Sequence, residues 1–143
     1  MRSPLLLPLR PAFVAALLLL AGCAGESSPG GATTGTAVFP DEPYDTVTSA
    51  AGKVLVEVRT APAQPPARGV TTVELTLTDP AGEPMEGLTV TALPWMPDMG
   101  HGASVKPAVV ALGGGRFEVD NVTMFMAGRW ELRIQITGAV EDS

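Results

Sequence analysis

Between positions 54 and 137 apolar and polar residues alternate in short runs. Val54, Val56 and Val58 share one parity, with Leu55, Glu57 and Arg59 on the other. Val73, Leu75 and Leu77 alternate with Thr72, Glu74, Thr76 and Thr78, and Leu88, Val90 and Ala92 with Thr89 and Thr91. Phe117 and Val119 alternate with Glu118 and Asp120, then Trp130, Leu132, Ile134 and Ile136 with Glu131, Arg133, Gln135 and Thr137. A period of two sends successive side chains to opposite faces, so each run predicts a half-buried antiparallel strand. Residues 105–112 supply one more, with Pro107 confining its start to an edge or bend. Beyond residue 22 no segment carries a helical period.

Turn residues separate the runs. Asp79-Pro80-Ala81-Gly82 predicts a turn, and Gly113-Gly114-Gly115 permits a tight reversal at positive φ. Ala61-Pro62-Ala63-Gln64-Pro65-Pro66 holds too much proline to pair in a sheet and predicts a connector. About six or seven strands in roughly 90 residues predict an all-β fold, a small immunoglobulin-like antiparallel β-sandwich, with a small barrel as the alternative. The domain has no inter-sheet cysteine pair, and Phe117 stands where many such sandwiches carry tyrosine. The expectation therefore concerns architecture alone.

Ahead of this pattern the chain changes character twice. Arg2 and Arg10 accompany an apolar stretch at 11–20 that closes on Leu20-Ala21-Gly22-Cys23. The stretch is shorter than the roughly 20 residues of a spanning helix, so residues 1–22 read as a signal peptide. A cysteine directly after small residues resembles the bacterial lipobox, in which that cysteine is acylated and becomes the mature N-terminus. Cys23 is the only cysteine. Lipidation consumes it and leaves no disulfide, thiolate ligand or cysteine nucleophile. Residues 23–50 are rich in Gly, Ser, Thr, Pro and Ala, bury too little apolar surface to offset chain entropy, and read as a flexible tether. The sandwich is expected over 51–140. Its lipid would hold it to the cell membrane or outer membrane, facing the periplasm or extracytoplasmic space.

Charge narrows the function classes. Removing Arg2 and Arg10 leaves 7 basic residues against 15 acidic, a net of −8. Such a domain repels phosphates, which argues against nucleic acid as a partner. Catalysis finds equally little support. Asp98, His101 and Ser104 share one short loop, and the chain has no nucleophile elbow, paired carboxylates or phosphate-binding glycine motif. The expectation is a protein that is not an enzyme.

The candidate chemistry lies in two short segments. The only histidine, His101, follows Trp95-Met96-Pro97-Asp98-Met99-Gly100, and Met124 and Met126 lie in Val122-Thr123-Met124-Phe125-Met126-Ala127-Gly128. Apart from the initiator, these segments hold four of the remaining five methionines. Thioethers with an imidazole suit Cu(I), whereas Zn(II) prefers thiolate, imidazole and carboxylate. Met96, Met99, His101, Met124 and Met126 are thus the candidate metal ligands, and Trp95 a candidate cap over a bound cation. Met124 and Met126 have the same parity and can face one side of an extended segment. The competing reading makes the methionines fillers of an irregular core, in sulfur contact with Trp95, Phe125 or Trp130. His101 between two glycines discriminates better than any single methionine.

Three stretches carry a resemblance: Asp79-Pro80-Ala81-Gly82-Glu83-Pro84-Met85-Glu86-Gly87-Leu88, Met96-Pro97-Asp98-Met99-Gly100-His101, and Gly115-Arg116-Phe117 with Met126-Ala127-Gly128-Arg129-Trp130-Glu131-Leu132. Over about residues 50–138 the chain resembles the YtkA-like domain family and, in general shape, FixH-like membrane proteins. The resemblance implies a small exported β-sandwich, often lipid-anchored, with a suspected role in copper handling. Two functions follow as expectations: a lipid-anchored module that binds or delivers copper, or a metal-free interaction module docking on a membrane transporter or oxidase-assembly partner.

Overall fold

The computed structural model describes residues 37–143, so the signal segment 1–22 and Cys23 lie outside the described residues. Within them the alternating runs become eight strands: β1 (Asp45–Thr48), β2 (Leu55–Ala61), β3 (Gly69–Thr78), β4 (Leu88–Met96), β5 (His101–Gly102), β6 (Ala108–Gly113), β7 (Arg116–Met124) and β8 (Glu131–Gly138). They form two antiparallel sheets, ordered β1-β2-β3-β7-β6 and β5-β4-β8. The all-β sandwich expected from the period-two runs is the fold observed.

The inward parity of each run makes the core. Val54, Val56, Val73, Leu75, Leu77, Val90, Phe117, Val119, Val122 and Ile136 form one buried cluster. Burying this apolar surface is the main favourable term that holds the sheets together. The turns follow their local chemistry. Asp79 accepts the Gly82 amide on its carbonyl and the Ala81 and Glu83 amides on its carboxylate. Between Gly113 and Arg116 only Gly114 and Gly115 lie in the loop, both at positive φ, as a two-residue hairpin of the primed type requires.

Three features depart from the expectation. Residues 45–48, placed in the tether by composition, pair with Leu55–Val58 as an edge strand, so the sandwich takes in residues before 51. His101 and Gly102 form a two-residue strand against β4 rather than a free loop. Finally, β7 runs on to Met124, beyond the Phe117–Asp120 alternation that predicted it.

That extension contains a β-bulge. Thr71 pairs with Val122 but Val73 with Val119, so Thr72 faces the two residues Asp120 and Asn121. Asn121 takes φ 59°, a left-handed conformation that asparagine adopts more readily than most residues. The extra residue reverses the parity of the strand beyond it. Phe117 and Val119 point inward before the bulge; Val122 and Met124 do so after it.

At the end of the sandwich away from His101, the C-terminal segment clasps the sheets. The Asp142 carboxylate accepts the Ser49 hydroxyl at 2.6 Å and the Ala51 amide at 2.9 Å. The Asp142 backbone exchanges hydrogen bonds with Ile136 on β8. These bonds stabilise the ionised carboxylate and lower its pKa from 3.8 to about 2; the Ser49 hydroxyl contributes most.

Candidate functional site

The β4–β5 hairpin places His101. Met96 and His101 are register partners, leaving a four-residue loop at 97–100. The Met96 carbonyl accepts the amides of Met99 at 3.2 Å and Gly100 at 2.9 Å, and Gly100 closes the turn at φ 69°. Gly102 takes no positive φ and serves packing. A Cβ there would lie 2.9 Å from the Pro94 carbonyl oxygen and 3.4 Å from the Trp95 ring, so glycine lets β5 approach β4 closely.

Cross-strand partners project to the same face, yet Met96 and His101 meet different surroundings. Met96 is 2% exposed. A Cβ on Gly128 would lie 2.7 Å from the Met96 methyl, which places that methyl on the Gly128 backbone. His101 is exposed and its Nδ1 lies 3.1 Å from the Gly102 carbonyl oxygen. A carbonyl only accepts, so that hydrogen bond requires the proton on Nδ1. Neutral imidazole then carries its lone pair on Nε2.

His101 lines a depression of about 150 Å³ together with Val105, Thr123, Phe125, Met126 and Trp130. The 125–130 connection is held by the Trp130 indole N–H, which donates to the Met126 carbonyl at 3.0 Å, and by the Arg68 guanidinium on the Phe125 carbonyl. Met126 is 43% exposed there, and Met99, at the hairpin tip, is 56% exposed.

The five candidate ligands therefore divide. His101 and Met126 share a depression, and Met99 stands two residues from His101 in the solvent-facing turn. Met124 packs against the core and, with Val122, lines a separate depression of about 400 Å³. Trp130 lines both depressions. The shared parity of Met124 and Met126 does not keep them together, because the chain leaves the sheet after Met124. Trp95, on the face opposite Met96, does have a cation over its ring: the Arg133 guanidinium, 4.5 Å from the centroid.

The donor chemistry restricts what the depression can hold. Among the described residues no group of three or more His, Cys, Asp or Glu side chains converges on a metal position. The arrangement fits a soft ion on imidazole and thioether, and it does not fit a hard cation in an oxygen cage. Sequence reasoning missed Trp130 as a wall of this site. Its parity identified it only as the head of a strand, and the connection before that strand carries no periodic signal.

No curated protein and no solved structure is significantly similar to the chain. The YtkA-like family model matches residues 50–135, the part of the chain that builds the core strands, the Met96–His101 hairpin and most of β8. The chain belongs to the YtkA-like family.

Proposed function

We propose that this protein is a lipid-anchored module of the bacterial cell envelope that binds Cu(I) and hands it on. His101 Nε2 and the Met126 thioether are its primary donors, and Met99 is a third from the hairpin tip. In this reading Met96 and Met124 serve packing. YtkA-like membership supports an extracytoplasmic β-sandwich module, and acylation of Cys23 would fix it to the membrane. One observation carries the copper reading. The only imidazole of the chain is tethered through Nδ1 to a backbone carbonyl and shares its depression with a thioether. Metal-binding histidines are commonly oriented in this way, with the second nitrogen left as ligand. Few donors and high exposure suit exchange of the ion better than storage.

The test is a Cu(I) competition titration of the full chain against a chelator of known affinity, repeated with His101→Ala and Met126→Leu. Binding tighter than about 1 μM that weakens in both variants supports the site. Weaker binding in the wild type favours the metal-free reading. That second reading has its own observation: Phe125 is 59% exposed beside Met126, an apolar surface suited to a transporter or oxidase-assembly partner.

A further inference from the structure

The end of the sandwich that carries His101 groups the larger share of the exposed apolar side chains, with Val47, Val110 and Leu112 exposed elsewhere. Val70, Met99, Val105, Phe125 and Met126 are all large apolar residues exposed there. They are neighbours rather than scattered: Val105, Phe125 and Met126 line one depression, Val70 pairs with Thr123 of the same depression, and Met99 adjoins through the hairpin. An exposed apolar patch of this kind marks a surface that meets something. Trp130 adds an amphipathic ring of the type that settles at bilayer interfaces.

Two observations identify the occupant. The first is where the described chain begins. Ala37 and Val38 lie against Ala61, Pro62 and Thr72, beside the β2–β3 connection, and that connection supplies the Arg68 that holds Phe125. The N-terminal segment therefore enters the domain at the His101 end. Only 14 positions separate Cys23 from Ala37. A chain of that length spans at most about 50 Å even when fully extended.

The second observation is the charge distribution. At the His101 end Arg68, Lys106, Arg129 and Arg133 stand with Asp41, Glu42, Asp98, Asp120 and Glu131, one acidic residue in excess, and Glu131 is paired with both Arg129 and Arg133. At the opposite end Lys53 and Arg116 stand with Asp79, Glu83, Glu86, Glu141 and Asp142, three acidic residues in excess. An anionic bilayer repels that acidic end more strongly than the less acidic His101 end with its apolar patch.

We infer that the His101 end rests on the lipid surface, with Phe125, Met126, Met99 and Val105 in the headgroup region. The inference rests on the anchoring part of the proposed function and is independent of copper. It orients the His101 depression toward the bilayer, so that a membrane-embedded partner would receive the ion without the domain turning over.

The test uses the full acylated chain in vesicles of phosphatidylcholine and phosphatidylglycerol, either plain or brominated on the acyl chains. With Trp95→Phe, Trp130 is the sole tryptophan, and its emission is read in both vesicle types. The expected result is a loss of Trp130 emission in brominated vesicles, abolished by Phe125→Ser. The same comparison on the unsubstituted chain serves if Trp95→Phe fails to fold. A chain that floats with the vesicles but emits equally in both types overturns the docking: the domain then stands free and its apolar patch awaits a protein. A chain that does not float overturns anchor and docking together. Cu(I) affinity measured without vesicles reads the copper proposal separately.

Discussion

Met96 and His101 face each other across the β4–β5 hairpin, one buried against the Gly128 backbone and the other open to solvent beside Met126. The hairpin thus anchors its histidine through a methionine that cannot itself be reached from outside. This division of labour gives methionine variants two different expected signatures.

Met126→Leu and Met99→Leu keep volume and apolarity, so stability should change by less than about 1.5 kcal/mol. Cu(I) affinity should fall by about tenfold or more at Met126, because no cysteine replaces the lost thioether. Met96→Ala should do the reverse, costing about 2–5 kcal/mol of stability through a buried cavity. Thermal melts and Cu(I) competition on the same variants separate the patterns. Leucine variants with undiminished affinity would exclude a methionine site.

His101 should be found as the Nδ1–H tautomer at neutral pH, since that nitrogen faces the Gly102 carbonyl. Nitrogen NMR of the imidazole reads this directly, and Cu(I) should perturb Nε2 and not Nδ1. Acidification should release the metal, because a protonated imidazole has no lone pair to donate. Release that does not depend on pH would show that His101 is not a ligand.

Gly128 lies at φ 138° with the Met96 methyl against it. Gly128→Ala should destabilise by about 1–3 kcal/mol through backbone strain and the crowded methyl. Combining it with Met96→Ala should give a non-additive double mutant, since the smaller residue vacates the space the new Cβ needs. Strict additivity would mean that the two residues do not meet.

Asp142 links stability to acid. Its pKa falls from 3.8 to about 2 in the fold, so its contribution is fully present above 3.8 and is lost as the pH drops toward 2. Asp142→Asn should lower stability at neutral pH and flatten the acid limb of the stability profile. Denaturant midpoints at several pH values check this. A wild type and variant with parallel acid limbs would count against the clasp.

Asn121 holds the bulge that turns Met124 inward. Asn121→Val should cost about 1–2 kcal/mol, because a β-branched residue resists the left-handed conformation, whereas Asn121→Gly should be tolerated. Melting temperatures of the two variants give the comparison.

The period-two runs, the Asp79 turn and the Gly113–Gly115 reversal are local chemistry, and each was legible from the residues alone. Alternation decides which side chains share a face, and turn stereochemistry needs only neighbours. The family motif around Met96 and His101 was legible in the same way. What the chain could not announce was decided by pairing between distant segments. Residues 45–48 look like tether until β2 offers them an edge, and the polarity of Asp45, Thr46 and Thr48 gives no warning. The two-for-one register against Thr72 inserts a residue into β7 and turns Met124 inward, and the end of the strand at Met124 leaves Phe125 and Met126 outside the sheet. Arg133, from a different strand, occupies the Trp95 ring, while Trp130 closes the His101 depression from the residue just before β8, 29 positions on. A sequence states the donors it possesses. Which of them reach solvent together depends on register, and register is settled only when the two sheets bury their common core.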